Sequence, residues 1–177
     1  MNDTTANAWA RPVGLVRHLI EWWAVFGGAV LVAVVSMATW SVISAALWGK
    51  PFAGDYELTE LGVAITAFAF LPYCQLTGAN VTADIFTSRA SPRFIAFMGL
   101  VTSVVAFGFA LILLRQMTLG MIDQRYYRYI TAVLAVPKWY AFVPILISLT
   151  LLAVAALITG YESVRAMMPA SRADTAG

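Results

Sequence analysis

Long runs without an ionisable side chain dominate the sequence. Four runs contain no Asp, Glu, Lys, Arg or His: 22–49, 61–83, 94–114 and 139–161. At about 1.5 Å per residue, a helix formed by any one of them crosses a hydrocarbon core roughly 30 Å thick. The pattern therefore predicts an all-α integral membrane protein whose four transmembrane helices form a single domain over residues 1–177.

The segments outside these runs predict a few further elements. Residues 1–10 and 171–177 are small and polar, and we expect both to be disordered tails. Residues 14–21 place Leu15 and Leu19 on one helical face and predict an amphipathic, interfacial lead into the first span. The connection 115–138 also alternates apolar and polar residues near helical spacing, which predicts an amphipathic segment lying in the interface. Its apolar positions are Met117, Met121, Ile122, Tyr126, Tyr129, Ile130 and Val133.

Composition agrees with a membrane protein. Hydrophobic residues make up 61% of the chain and charged residues 11%, whereas about a quarter of the residues of a soluble domain are charged. The net charge of +2 comes from scattered residues, with no basic run suited to nucleic acid. Lys and Arg are slightly more numerous on the side that carries both termini, which predicts cytoplasmic termini.

Candidate chemistry is sparse. Proteins that couple ion movement to transport usually have an ionisable side chain near the middle of the membrane. The four apolar runs contain none. His18 is the only histidine and lies outside the runs, so a pair of axial haem ligands is not available. Cys74 is the only cysteine, and the span serines have no histidine or carboxylate near them in sequence to act as a base. We therefore expect no enzyme activity, no metal site and no cofactor.

Carboxylates flank the second span. Glu57 and Glu60 precede it, where they either stabilise the positive end of a helix or contact a partner, and Asp84 follows it. The sequence leaves both roles open for Glu57 and Asp84. Pro72 lies inside the span, where it removes one backbone hydrogen bond, so a packed neighbouring helix is expected there.

Three local patterns together resemble the small membrane (Q-type) subunit of TRAP (tripartite ATP-independent periplasmic) transporters. The first is Gly49-Lys-Pro-Phe followed by Asp55-Tyr-Glu-Leu58, in which Glu57 matches an acidic position of the family. The second is Gly78-Ala-Asn-Val-Thr-Ala-Asp84, similar to the family's Gly-x-His-Ile-x-Val-Asp stretch with Asn80 in place of the histidine. The third is Thr131-Ala-Val-Leu-Ala-Val-Pro-Lys-Trp139 with Pro144 beyond it.

The likeness covers about residues 15–165 and marks a set of candidate subunit-interface or family-motif positions. These are Glu57, Pro72, Gly78, Asn80, Asp84, Pro137, Trp139 and Pro144. The resemblance implies a bacterial inner-membrane protein with both termini in the cytoplasm. It also implies two partners, a large permease subunit that uses the sodium gradient and a periplasmic substrate-binding protein that delivers an organic acid.

An accessory role agrees with spans that lack ionisable groups, since such a subunit can support a transporter without coupling ions itself. The sequence also favours external connections, 50–60 and 115–138, that help dock the binding protein. One alternative is the small four-span subunit of a tripartite tricarboxylate transporter. Another is a small redox or quinone-binding membrane protein, suggested only by the 13% of aromatic residues.

Overall fold

Four helices make up the fold. The computed structural model describes residues 3–78 and 92–167, including the side chains of 13–78 and 95–167. The helices are α1 (Asp3–Trp48), α2 (Asp55–Thr77), α3 (Pro92–Tyr126) and α4 (Trp139–Met167). Each contains a stretch long and apolar enough to cross a membrane. The prediction of an all-α membrane protein with four spans is confirmed.

Helix α1 is longer than the first apolar run. It begins at Asp3 and runs unbroken to Trp48, so residues 3–10, expected as a disordered tail, are helical. That stretch contains alanine and neither glycine nor proline, so nothing in it interrupts a helix. The expected interfacial lead 14–21 is likewise continuous with the span. The other expected tail, 171–177, lies outside the described residues.

Helix α2 is shifted about one and a half turns from the predicted run 61–83. It begins at Asp55, directly after Gly54 in the left-handed conformation (φ 84°), and ends before Gly78, which is also left-handed (φ 68°). The bounds of the run 61–83 reflect only the absence of ionisable side chains. A helix accepts carboxylates in its first turn because they face unpaired N–H groups, so α2 includes Glu57 and starts before the run.

The connection 115–138 is only partly helical. Its first half extends α3 to Tyr126, and residues 127–138 form a non-helical loop closed by an antiparallel bridge between Ile130 and Pro137. The prediction of one amphipathic helical segment was therefore wrong beyond Tyr126. Arg128 adopts a positive φ of 52° just after the helix end, and this left-handed residue turns the chain away from the helix axis. We call residues 127–138 the docked loop.

Helix α4 is central to the packing and contacts both α2 and α3, while α1 packs mainly against α2. The most enclosed apolar cluster contains Ala110 of α3 and three residues of α4, Ile145, Leu149 and Leu152. Phe68 of α2 packs against the same cluster. A hydrogen bond of 2.9 Å from the Trp23 indole N–H to the Ser148 hydroxyl ties α1 to α4 as well.

Glycines allow α1 and α2 to approach closely. A Cβ atom at Gly27 would lie 2.7 Å from the Ala69 Cβ, and one at Gly62 would overlap the Val34 side chain. Thr66 also donates its hydroxyl hydrogen to the Gly27 carbonyl at 3.4 Å. Small residues at these positions let the two backbones pack without intervening side chains, as is common between membrane helices.

The outer faces of the two peripheral helices are strongly apolar. Large side chains are exposed there on α1 and α3, among them Trp22, Val32, Val42, Leu47, Val104, Val105, Phe109 and Ile112. Water would make such surfaces unstable, whereas lipid tails or the apolar surface of another membrane subunit would cover them favourably. The fold thus presents two wide surfaces for lipid or protein contact.

Candidate functional site

A group of hydrogen bonds fastens the docked loop to the start of α2. Glu57, in the first turn of α2, accepts the backbone N–H of Val133 at 2.8 Å with one carboxylate oxygen and that of Leu134 at 3.0 Å with the other. Two consecutive N–H groups that point at one carboxylate form a small anion-binding concavity. The loop therefore binds Glu57 in the way that such concavities bind an external anion, and the acid group is engaged within its own chain.

A close contact beside Glu57 adds to this attachment. The Leu134 side chain lies directly over Gly54, where an added Cβ would overlap it. Gly54 is buried and has a φ of 84°, so the position requires glycine both for its backbone conformation and for the space that Leu134 fills. The docked loop is thereby packed onto the connection that precedes α2.

A second group of hydrogen bonds closes the connection between α1 and α2. Ser41, only 2% exposed, donates its hydroxyl hydrogen to Asp55 at 2.5 Å and accepts the Phe52 backbone N–H at 3.1 Å. One turn later, Ser44 donates to the Lys50 carbonyl at 2.6 Å. Two α1 hydroxyls therefore hold both ends of the tight turn 49–54.

The docked loop is also ordered by bonds within itself. Thr131 donates its backbone N–H to the Val136 carbonyl at 2.9 Å, and its hydroxyl accepts the Val136 N–H at 3.0 Å. Lys138 donates its N–H to the Tyr129 carbonyl at 3.1 Å. Thr131 is 4% exposed, so the loop has a small polar interior. We call the docked loop, the turn 49–54 and the first turn of α2 together the clasp.

The opposite end of the bundle has a polar junction of its own. Gln75 of α2 donates to the Thr159 hydroxyl at 3.1 Å, and that hydroxyl lies 3.0 Å from the Ser103 hydroxyl of α3. These groups border a cavity of about 450 Å³. Near it, an ion pair of 2.6 Å joins Arg17 of α1 to Glu162 of α4. The three helices α2, α3 and α4 are therefore linked by hydroxyl and amide groups at this end.

Several predicted positions occupy ordinary structural roles. Pro72 is almost fully buried inside α2, and Gly78 ends that helix. Pro144 lies inside α4, where its carbonyl accepts the Ser148 hydroxyl at 2.8 Å. Asn80 and Asp84 lie outside the described residues.

Two other predicted positions belong to the docked loop or border it. Pro137 forms the bridge with Ile130. Trp139 begins α4, and its ring packs against that of Tyr140 at a tilt of 32°, with ring centroids 4.2 Å apart. The Arg125 guanidinium lies 5.6 Å from the centre of the Trp139 ring, within cation–π range. With Glu57, these residues cluster at the clasp, whereas Pro72 and Pro144 lie within helices.

Sequence reasoning missed Ser41, which holds the clasp from α1, and the clasp residues Asp55 and Leu134. Asp55 carried a usable signal, because a carboxylate just after a glycine is typical of a helix start. Ser41 looked like any other span serine, and Leu134 like any apolar loop residue, since their partners are distant in sequence or depend on the loop's fold.

Within residues 3–78 and 92–167, no three His, Cys, Asp or Glu side chains converge in a way that would hold a metal ion. The chemistry of the clasp is hydrogen bonding and packing.

The fold and the clasp describe a multi-pass membrane protein in which hydrogen bonds hold the connections 49–54 and 127–138 in place. Residues 34–166 match the family model of the DctQ component of tripartite ATP-independent periplasmic transporters. This match covers more than half of the chain, so the protein belongs to the DctQ family of small TRAP transporter subunits. Neither a curated protein nor a solved structure gives a significant match. The match confirms the resemblance seen in the sequence and favours it over the tricarboxylate-transporter alternative.

Proposed function

We propose that this chain is the non-enzymatic small permease subunit of a sodium-coupled TRAP transporter in a bacterial inner membrane, with both termini cytoplasmic. Its role is to support the large permease subunit, which uses the sodium gradient to import an organic acid delivered by a periplasmic binding protein. Membership of the DctQ family is the observation that carries this proposal. The family is a transporter component, so partner subunits follow from it.

The distribution of charge supports an accessory role. The longest ionisable-free stretches lie inside the helices that can span a membrane, and the charged residues within those helices, such as Glu21 of α1 and Arg115 of α3, lie outside these stretches. A sodium ion or an organic acid crossing within this bundle would meet hydroxyl and amide groups but no charge at mid-membrane. The exposed apolar faces of α1 and α3 give the large subunit and lipid extensive surfaces to contact.

The clasp supports a second part of the proposal, docking of the binding protein on the connection 50–60. The docked loop packs against this connection and holds it in place. Two loop N–H groups bind the Glu57 carboxylate, and the Leu134 side chain covers Gly54. Binding to a surface that is already ordered loses less conformational entropy. A connection held in one conformation therefore favours binding of a soluble partner. Phe52 and Tyr56 are exposed there and available for contact.

Affinity purification in mild detergent tests the proposal. The full chain, tagged at one terminus and expressed with its neighbouring genes, should retain a many-span permease subunit, which mass spectrometry identifies. A matched sample of a tagged, unrelated four-span protein controls for non-specific retention. Recovery of the chain without any permease, from a membrane where both are expressed, would contradict the proposal.

A further inference from the structure

The outward side of the docked loop carries an unusual set of exposed side chains. Together with Tyr126 at the end of α3, it presents tyrosines followed by aliphatic residues, each at least half exposed: Tyr126, Tyr127, Tyr129, Ile130 and Val133. The tyrosine rings touch one another, with centroids 5.1 Å apart between Tyr126 and Tyr127 and 5.9 Å apart between Tyr127 and Tyr129. The result is a continuous aromatic surface with an aliphatic edge.

The same surface is positively charged. Residues 124–138 contain Arg125, Arg128 and Lys138 and no acidic residue. The carboxylate that faces the loop from α2 is Glu57, and both of its oxygens are bound by loop N–H groups. Asp123, one residue before the segment, is exposed on α3. Glu57 and Asp123 offset two of the three cations in formal charge, and the remaining positive excess, together with the exposure of Arg125 and Arg128, favours an anionic partner.

The position of the loop indicates where that partner lies. The loop joins the end of α3 to the start of α4, and both helices are apolar enough to span a bilayer. It therefore lies where the chain leaves the hydrocarbon, in the layer of lipid headgroups. Tyrosine and tryptophan rings favour this layer, and guanidinium groups bind phosphate oxygens in pairs. The exposed face of α3, with Leu119 and Ile122, continues the apolar edge away from the loop.

From these observations we propose that the outward side of the docked loop binds the headgroups of anionic phospholipids in the adjoining leaflet. Arg125 and Arg128 contact phosphates, the tyrosine rings lie among the headgroups, and Ile130 and Val133 reach the upper acyl chains. The proposal goes beyond the accessory role, since it concerns a lipid contact that the chain makes whether or not a protein partner is bound. It assigns the clasp a second purpose, which is to hold the lipid-binding side of the loop in place.

Local lipid enrichment beside the loop tests this proposal. The full chain carrying C74S and V133C is labelled at residue 133 with an environment-sensitive fluorophore and placed in nanodiscs of phosphatidylcholine and phosphatidylglycerol. A spin-label quencher is attached to one lipid or to the other, and the ratio of the two quenching strengths measures enrichment. We expect phosphatidylglycerol to be enriched. The double variant R125Q/R128Q should lower the ratio by up to roughly five-fold for each arginine removed.

Matched controls make the result specific. R165Q removes an exposed arginine at the opposite end of the bundle and should leave the ratio at residue 133 unchanged. R128K keeps the positive charge and should keep most of the phosphatidylglycerol enrichment. It tests the role of charge even if circular dichroism shows that the double variant folds poorly. Equal quenching by both lipids in the parent protein would overturn the proposal. A label that stays exposed to water in nanodiscs, and becomes shielded only when purified binding protein is added, would overturn it too and assign the surface to a protein contact.

Discussion

Replacing Ser41 with alanine tests how the turn between α1 and α2 is held. The Ser41 hydroxyl donates to the Asp55 carboxylate and accepts the Phe52 N–H, and it is almost fully buried. S41A removes both bonds and leaves the Phe52 N–H without its partner. Alanine is a better helix former than serine, so any loosening comes from the lost hydrogen bonds and not from a weaker helix.

The magnitude follows from the two bonds. A hydrogen bond to a charged group contributes about 1.5–3 kcal/mol, and an unpaired buried donor costs about 1–3 kcal/mol. Because the two effects share one hydroxyl and the turn can partly relax toward water, we take about 2–3 kcal/mol as the net loss for local opening. At 1.4 kcal/mol for each tenfold change, the open state of the turn should become roughly 30- to 150-fold more populated.

Hydrogen–deuterium exchange of the peptide that contains residues 49–54 measures this opening directly. The Phe52 amide should exchange faster in S41A by the same factor, provided that opening and closing are fast compared with exchange. S36A, which replaces an exposed serine on the same helix, serves as the matched control and should not change exchange in this peptide. Exchange in S41A that is as slow as in S36A would refute the role given to Ser41.

Three further predictions concern the docked loop and the bundle. E57Q leaves only one acceptor oxygen for the two loop N–H groups, so limited proteolysis should cut within 127–138 faster than in the parent. E60Q changes an exposed carboxylate of the same helix and should be cut at the parent's rate. Equal cutting rates in E57Q and E60Q would contradict the role given to Glu57. L149A removes a fully buried side chain from the core and should cost about 2–5 kcal/mol, seen as a lower melting temperature in detergent, whereas L157A at an exposed position should change it little. G62V forces a side chain between α1 and α2 and should cost about 1–3 kcal/mol; an unchanged melting temperature would show that the close approach of these helices is not needed.

Much of the fold was predictable because the bilayer imposes a simple rule on the sequence. A membrane-spanning helix needs a long apolar run, and the four runs correspond to the four helices observed. The ends of the helices follow other rules. The start of α2 depends on Gly54 and on carboxylates in the first turn, and the end of α3 at Tyr126 depends on Arg128 adopting a left-handed conformation. Neither end coincides with the loss of hydrophobicity.

The clasp was predictable only in part. Glu57 lies in a family-like motif, but the sequence leaves open whether it contacts a partner or stabilises a helix end. Its observed partners, the N–H groups of Val133 and Leu134, are more than seventy residues away along the chain. Backbone donors carry no sequence signature, so a single sequence cannot reveal which loop a carboxylate binds. Such contacts emerge only when the helices are placed side by side.

We propose that this chain supports transport by the large permease subunit and does not itself move the substrate. Uptake of a labelled organic acid into proteoliposomes, driven by an inward sodium gradient, tests it most directly when three preparations are compared: the chain alone, the large permease subunit alone, and both together with the binding protein. We expect uptake by the full set and none by the chain alone. Sodium-driven uptake by this chain in the absence of the large subunit would contradict it.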